Sequence, residues 1–147
     1  MSHTYSLQFI HIVFSTKERR NLIPAELLPQ LFAYVGGINR KLGLDSIAIG
    51  GTANHLHILI GLPPTMRMAE AVQKLKANSS RWLGEQKITF EWQKGYGAFS
   101  VSPSMLGIVR TYVQQQEEHH RVRTFDDEFL ALLRKCGVQF EQKAVLG

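Results

Sequence analysis

Cysteine and long apolar runs are what this sequence of 147 residues has least of. Its single cysteine, Cys136, excludes an internal disulfide bond, and the chain has no cysteine cluster that could hold a structural zinc ion. No apolar run approaches the roughly 20 residues that a membrane helix needs. The first residues, MSHTYSLQFIHIVF, lack the basic start and the cleavage site of a secretory signal. We therefore expect a soluble, cytoplasmic protein with no membrane partner.

The composition is that of an ordinary globular protein, with 44% hydrophobic and 20% charged residues. The length predicts a single domain over residues 1–147. Lysine and arginine number 17 against 12 aspartates and glutamates, which gives a formal charge of +5. This excess favours a polyanionic partner, nucleic acid first, although proteins that bind no nucleic acid commonly carry as much.

Hydrophobic periodicity predicts an α+β fold with the element order β-α-β-β-α-β, followed by helices. The predicted elements are strands over 5–14, 45–50, 55–61 and 95–102, helices over 24–42 and 65–82, a helix through about His120 and a short last helix over 125–135. Thr65 and Thr124 are placed to cap the second and the last helix. This order is the ferredoxin-like, RRM-like pattern. Right-handed crossovers then put the first and third strands in the middle of an antiparallel sheet, with the first two helices on one face.

The stretch HLHILI, residues 55–60, places two histidines in an otherwise apolar strand. Because side chains alternate along a strand, His55 and His57 share one face, while Leu56, Ile58 and Ile60 share the other. If the apolar face packs beneath the helices, the histidines lie on the face that those helices leave open. Residues two apart on a strand are about 7 Å apart, so both imidazoles can reach one metal ion.

Two ligands do not make a metal site, and two half-exposed histidines bonded to backbone neighbours explain the motif as well. The stretch TYVQQQEEHH, residues 111–120, offers a second feature. Tyr112 and Gln116 are four residues apart on one helical face, where a nucleophile and an oxygen ligand could arrive together. The alternative for Tyr112 is a core or interface role, which is usual for tyrosine on an amphipathic helix. We expect His119 and His120 to face water.

Four motifs together resemble a known family. They are the His-hydrophobic-His strand, Tyr112 with Gln116 at i+4, the early HIVFSTKERR and the stretch WQKGYGAFSVSP. With these motifs in their order along the chain, the sequence resembles the single-tyrosine HUH transposases of insertion sequences, the 200/605 type. The likeness runs from about Tyr5 to Phe140, nearly the whole chain.

The resemblance implies a transposase that cuts and rejoins single-stranded DNA at insertion-sequence ends, often beside a hairpin, through a covalent 5′-phosphotyrosine intermediate. Tyr112 would be the nucleophile, and His55, His57 and Gln116 would bind the metal. The resemblance also implies a homodimer, in which the tyrosine helix can complete the partner's active site. Such a protein would work in the cytoplasm, at the nucleoid.

The chemistry of these side chains agrees with that mechanism. A phenol with a pKa of about 10 is a poor nucleophile at neutral pH, so its attack on a phosphodiester needs a divalent cation. A phosphotyrosine keeps the energy of the broken bond, so a second DNA end can displace the tyrosine without ATP. The chain accordingly has no glycine loop for ATP phosphates. Imidazole suits softer ions, whereas a carboxamide and a phosphate suit Mg²⁺ or Mn²⁺. We predict Mg²⁺ or Mn²⁺.

Two basic clusters are candidate contacts to DNA phosphates. One lies on the second predicted helix and consists of Lys74, Asn78 and Arg81. The other lies in the loop after the first strand and consists of Lys17, Arg19 and Arg20. Each cluster is explained equally well as a solvated face.

Some aromatic rings are further candidates. Trp92, Tyr96 and Phe99 lie close to the fourth predicted strand and could stack on unpaired bases, although we expect a core role for at least one of them. His11 lies on the first strand, next to the histidine strand in the predicted sheet, and is either near the site or structural.

Two other classes of function stay open. One is a non-catalytic module that binds single-stranded nucleic acid, since the same fold supports RNA recognition through an open sheet face. The strand HLHILI lacks the aromatic pair of such sheets, which counts against it. The other is a metal-dependent phosphodiesterase, in which His55 and His57 activate water and Tyr112 is structural.

Overall fold

A four-stranded sheet forms the centre of the computed structural model, which describes residues 3–146. Its strands are β1 (Phe9–Ser15), β2 (Asp45–Thr52), β3 (His55–Gly61) and β4 (Gly97–Val101). The strand order is β2-β3-β1-β4, and all neighbouring strands are antiparallel. The predicted ferredoxin-like arrangement, with the first and third strands in the middle, is confirmed.

Two helices cover one face of this sheet, α1 (Leu28–Lys41) and α2 (Met68–Glu85). Leu56, Ile58 and Ile60 of β3 are fully buried in one apolar cluster with residues of both helices. The helix residues of this cluster include Leu31, Val35 and Ile38 of α1 and Ala71, Val72 and Leu75 of α2. A buried Leu or Ile contributes roughly 1.5–3 kcal/mol. This packing therefore determines which face of β3 points away from α1 and α2.

The opposite face is covered as well, by helices that follow β4. They are α3 (Leu106–Gln114), α4 (Gln116–His119), α5 (Phe125–Lys135) and α6 (Gln142–Leu146), of which α6 was not predicted. Val113 of α3 packs with Leu59 of β3, and Phe125 of α5 packs with Val13 and Phe99. The prediction that α1 and α2 leave the histidine face uncovered is confirmed, and the helices after β4 cover that face instead.

The helix ends follow local chemistry, with one difference from prediction. Gly43 ends α1 with a φ of 78°, a left-handed conformation that glycine adopts without strain. Thr124 caps α5 as predicted, because its hydroxyl accepts a backbone N–H of the first turn. Thr65 does not cap α2: it lies in a turn after two prolines, and α2 follows Arg67 with no side-chain cap. Within residues 3–146, no helix has the length and apolar character needed to cross a membrane.

The tyrosine-bearing helix is broken at Gln115, which has a φ of −107° and a ψ of 30°. The Tyr112 carbonyl accepts the backbone N–H of Gln115 at 3.3 Å and the side-chain amide of Gln116 at 3.2 Å. In a continuous α-helix that carbonyl would accept the backbone N–H of Gln116. The prediction of one helix through His120 is therefore wrong, because local hydrogen bonds divide it into α3 and α4.

Gly50 of β2 lies where α3 approaches the sheet backbone, since a β-carbon there would overlap the Val113 carbonyl oxygen. We expect Gly50→Ala to lower the free energy of unfolding by about 1–3 kcal/mol, as overpacking does. Urea unfolding measures the change. Gly84→Ala on α2 is the matched control, because a β-carbon there meets no heavy atom within 4 Å. Equal stability of the two variants would contradict the close approach of α3.

Candidate active site

His55 and His57 project from β3 toward the C-terminal helices, and both side chains are fully buried. Their direction follows from strand alternation, since the neighbours Leu56 and Ile58 occupy the core beneath α1 and α2. β1 and β2 flank β3, so the two rings lie at mid-sheet. The burial excludes the alternative of two half-exposed histidines.

Nitrogen and oxygen atoms from β3, α4 and α5 converge beside these rings. Gln116 Oε1 lies 3.0 Å from His55 Nε2. Glu128 Oε1 lies 3.0 Å from His57 Nε2 and 3.8 Å from His55 Nε2. His120 Nε2 lies 3.2 Å from Gln116 Oε1 and 3.1 Å from Glu128 Oε1. Ligand atoms of His55, His57 and Glu128 all lie within 4.8 Å of one another, so these three could hold one metal ion.

The contacts of the His55 ring favour a cation in this cluster. Burial, together with the neighbouring His57, lowers the pKa of His55 to about 3, so the ring is neutral and has one N–H. Both of its nitrogens nevertheless face oxygen acceptors: Nδ1 lies 2.8 Å from Asn54 Oδ1, and Nε2 lies 3.0 Å from Gln116 Oε1. One of these contacts therefore brings two lone pairs together. A cation between Nε2 and the amide oxygen would remove that repulsion.

Partners behind the two rings orient them. The Asn54 amide nitrogen donates to the Arg19 carbonyl at 3.3 Å, which turns the Asn54 oxygen toward His55 Nδ1. His57 Nδ1 lies 2.8 Å from His11 Nε2, and the two rings stack. Burial lowers the pKa of His11 to about 3, so this ring is neutral too. Such outer partners set the tautomer of a metal-binding imidazole, and His11 therefore belongs to the site.

Tyr112 of α3 lies beside this cluster in the same chain. The residue is half-buried, and its ring centroid is 5.7 Å from that of His57. Its hydroxyl donates a short hydrogen bond to Glu128 Oε2. Burial and this hydrogen bond raise the pKa of Tyr112 above its usual value, and the positive charge of Arg123 opposes the rise. The phenol is therefore neutral and bound to a carboxylate that also contacts His57.

Glu128 joins the tyrosine to the histidines, and the sequence-based predictions did not include it. Its side chain is 1% exposed. Burial by itself would raise the pKa of Glu128, but hydrogen bonds from His120, His57 and Tyr112 hold it well below the usual value. The carboxylate is therefore ionised although it is buried.

A signal for Glu128 was present in the sequence. Phe125, Glu128 and Leu132 recur at i, i+3 and i+7 of the predicted last helix, so a carboxylate falls on its apolar stripe. A buried carboxylate needs hydrogen-bonding partners, which makes such a position a candidate for a functional site.

His119 and His120 do not face water, and that prediction is wrong. The His120 side chain is 12% exposed, and its ring centroid is 4.4 Å from that of His55. The His119 ring packs against Tyr112 with centroids 4.7 Å apart. The break at Gln115 turns α4 relative to α3, so helical spacing counted from Tyr112 does not give the direction of these rings.

A model of the family described as "Transposase IS200 like" matches residues 4–116. The match spans well over half of the chain. The chain belongs to the IS200-like transposase family. The resemblance read from the sequence is confirmed, and so is the general prediction of a transposase. Glu128 lies beyond the matched residues of this IS200-like transposase.

Solved structures of similar fold agree with this assignment. One is a crystal structure of a proposed transposase from Deinococcus radiodurans R1; it has a TM-score of 0.62 and 21% identity, over 79% of this chain and 95% of that chain. Another is a REP-associated tyrosine transposase bound to a REP hairpin; it has a TM-score of 0.52 and 16% identity, over 77% of this chain and 67% of that one. The comparison with curated proteins finds no match.

The predicted DNA contacts of this IS200-like transposase lie in two separate places. Lys74, Asn78 and Arg81 are on α2, which covers the sheet face opposite His55. Ion pairs of 3.2 Å join Lys74 to Glu70, Lys17 to Glu91 and Arg20 to Glu18, and one of 2.8 Å joins Arg19 to Asp126 of α5. The role of both clusters in DNA binding stays a prediction.

Two of the three aromatic residues considered for base stacking are buried. Trp92 is 7% exposed and donates from Nε1 to Ser79 Oγ at 3.0 Å. Phe99 is 8% exposed, whereas Tyr96 is 41% exposed. The expectation of a core role for at least one ring is confirmed. Of the three, Tyr96 is the ring that a base could reach.

Glu128→Gln tests whether the carboxylate faces a metal ion. The substitution keeps the shape of the side chain and removes its charge. Mn²⁺ should therefore bind about tenfold to a hundredfold more weakly, the usual loss when a residue that supports a metal site is changed. Isothermal titration calorimetry measures this affinity. Asp127→Asn, a change of the adjacent exposed acid, is the matched control and should bind Mn²⁺ like the wild type. Identical affinities for the two variants would rule out Glu128 as a ligand.

Proposed function

We propose that this IS200-like transposase cleaves and rejoins single-stranded DNA at insertion-sequence ends through a covalent 5′-phosphotyrosine intermediate, assisted by a divalent metal ion. One observation carries the proposal: the Tyr112 hydroxyl donates to Glu128, whose other carboxylate oxygen lies 3.0 Å from His57 Nε2. A phenol and a cluster of metal-ligand atoms are thus linked by one side chain. Membership of the family supports the same activity.

The residues that would hold the ion are His55, His57 and Gln116, as the resemblance implies, together with Glu128. This set of two imidazoles, an amide oxygen and a carboxylate suits a divalent ion that accepts both nitrogen and oxygen ligands. Among the predicted ions, Mn²⁺ fits the imidazoles better than Mg²⁺ does. When bound, the ion would draw charge off the oxygens of the scissile phosphate.

Glu128 offers the tyrosine a proton acceptor. In cleavage, a bond forms between Tyr112 Oη and phosphorus while the bond from phosphorus to the 3′ oxygen breaks. The phenol proton passes to Glu128 Oε2, which already accepts it in a hydrogen bond, and from there to water, because the lowered pKa of Glu128 keeps the carboxylate ionised. The 3′ oxygen leaves and takes up a proton from water, and the 5′ phosphate stays on Tyr112. A second 3′-hydroxyl then displaces Tyr112, which rejoins the DNA and restores the phenol.

Single-stranded DNA with hairpin ends is the partner that we propose. The excess of 17 basic over 12 acidic residues favours a polyanion. The REP-associated transposase of similar fold was bound to a hairpin. The half-buried position of Tyr112 also favours an unpaired strand, which can bend into a narrow opening more easily than a duplex.

A denaturing gel after incubation with single-stranded oligonucleotides and Mn²⁺ tests the nucleophile. The wild type should give a covalent protein–DNA band, and Tyr112→Phe should give none while binding DNA almost as well, because only one hydroxyl is lost. Tyr96→Phe removes an exposed hydroxyl elsewhere and is the matched control, which should form the band. His57→Ala should weaken metal binding and cleavage together.

The same gel separates the other classes of function. Cleavage with no covalent band would favour a metal-dependent phosphodiesterase, in which Tyr112 is structural. DNA binding with neither band nor cleavage would favour a non-catalytic binding module. A band formed by Tyr112→Phe would mean that another residue is the nucleophile.

Tyr112 reaches the histidines of its own chain, which bears on the homodimer implied by the resemblance. Its contacts with Glu128 and His57 need no second chain. We therefore propose that the tyrosine acts on DNA held by its own subunit, and the homodimer stays a prediction.

Mixing Tyr112→Phe with His57→Ala tests this arrangement. Each chain lacks one half of the site, so the mixture should give no covalent band on the denaturing gel. A control mixture of each variant with wild type should give the band. If the two variants together restored it, the tyrosine of one subunit would act at the histidines of the other.

A further inference from the structure

A cleft between α3 and α5 leads from the surface to Tyr112. Its volume is about 320 Å³, and we call it the tyrosine cleft, defined by Met105, Ile108, Tyr112, Arg123, Glu128 and Lys135. Met105 and Ile108 are 41% and 64% exposed, whereas Glu128 is 1% exposed. The cleft therefore joins an exposed apolar surface to the hydroxyl of the proposed nucleophile.

A second cavity, of about 760 Å³, is lined in part by residues 120–124, between α4 and α5. Its lining includes Asn54 and His120, whose side chains contact the His55 ring. Arg123 lines both cavities. Because Arg123 is shared by the two linings, a phosphate in contact with both cavities would lie near its side chain.

The charges near the cleft leave two cations free to bind an outside anion. Arg121 pairs with Glu118 at 3.1 Å, but Arg123 and Lys135 form no ion pair with any residue of the described range 3–146. Glu128 lines the same cleft but forms no ion pair with either cation within residues 3–146, since its oxygens contact His57, His120 and Tyr112. Cations without a carboxylate partner in a concave site attract a phosphate.

The neutral part of the cleft fits the rest of a nucleotide. Met105 and Ile108 offer exposed apolar side chains, on which the flat face of an unpaired base can lie. A nucleotide combines such a face with a charged phosphate, as the cleft combines apolar side chains with cations.

We propose that the tyrosine cleft binds the single-stranded DNA nucleotide at the cleavage position, with Arg123 on the scissile phosphate and Lys135 on the phosphate beside it. This inference rests on the proposed function, since it names the DNA contacts of that site. Arg123 is then a catalytic residue, which stabilises the charge that develops on the phosphate oxygens. Lys135 contributes to affinity alone, because it binds a phosphate that does not react.

Binding without cleavage gives the first test. The affinity for a single-stranded oligonucleotide is measured in EDTA by fluorescence anisotropy at several salt concentrations. Arg123→Ala and Lys135→Ala should each reduce the slope of log affinity against log salt by about 0.7, the value for one phosphate contact on a single strand. Arg134→Ala is the matched control, because that guanidinium packs over the Phe140 ring and lines neither cavity. Unchanged slopes for Arg123→Ala and Lys135→Ala would overturn the proposal.

Cleavage at saturating DNA gives the second test. Arg123→Ala should slow formation of the covalent band by about a hundredfold, as loss of one charge-stabilising donor does, and Arg123→Lys should restore part of the rate. Lys135→Ala should cleave at nearly the wild-type rate once DNA is saturating. If Arg123→Ala cleaved like Arg134→Ala, Arg123 would have no role at the scissile phosphate.

A substrate with a neutral methylphosphonate at the scissile position shows whether the contact is direct. Arg123→Ala should slow cleavage of this substrate less than it slows cleavage of the normal one, because the charge that Arg123 binds is missing. Equal effects on both substrates would overturn the direct contact. Absence of any band from the wild type would contradict the proposed function, and the salt slopes would still decide whether the cleft binds DNA.

Discussion

The buried carboxylate of Glu128 is the contact on which the rest of the site depends. One oxygen accepts the Tyr112 hydroxyl, and the other faces His57 and His120. An ionised group removed from water is tolerated only while its partners stay in place, because losing one leaves an uncompensated charge. The carboxylate therefore couples α5 to α3 and to β3. It holds the phenol of Tyr112 beside the imidazoles of His57 and His120.

Apolar packing covers both faces of the sheet, but it forms the core on one face and encloses the polar cluster on the other. Beneath α1 and α2, apolar side chains of β3 form the main core and stabilise the fold. On the other face, Val113 and Phe125 pack on the sheet around the polar cluster, which excludes water from it. Electrostatic interactions are stronger in such surroundings than in water. Gly50 makes this closure possible, because it has no side chain to keep α3 away from β2.

Burial also determines which groups of the site are charged. His11 and His55 are neutral, the Tyr112 phenol keeps its proton, and Glu128 is the anion. A neutral His55 with an oxygen at each nitrogen has one contact too many for its single N–H, which a divalent ion would relieve. The cations that can meet a phosphate, Arg123 and Lys135, lie outside the buried cluster. The inner part of the site thus suits a metal ion, and the outer part suits DNA.

The sequence by itself determined what depends on local periodicity. The period of two along a strand placed His55 and His57 on one face, and the order of strand and helix patterns determined the sheet topology, since right-handed crossovers leave few arrangements. Tyr112 and Gln116 were paired by helical spacing, and both do reach the histidines, although the helix is broken between them. The two residues stay close despite the break because the Gln116 side-chain amide donates a hydrogen bond to the Tyr112 carbonyl.

Only the tertiary structure decided which distant groups complete the site. Glu128 is 71 residues from His57 along the chain, and His11 is 46 residues from it, so no spacing in the sequence links them. His120 was expected to face water. Its ring faces the site instead, because its direction depends on the break at Gln115 and on the docking of α5. The sequence marked Glu128 as a carboxylate on an apolar stripe, but its partners could be known only once that stripe had packed against the histidine face. The physical reason is that periodicity fixes the direction of a side chain within its own element, whereas contacts between elements depend on how their faces pack.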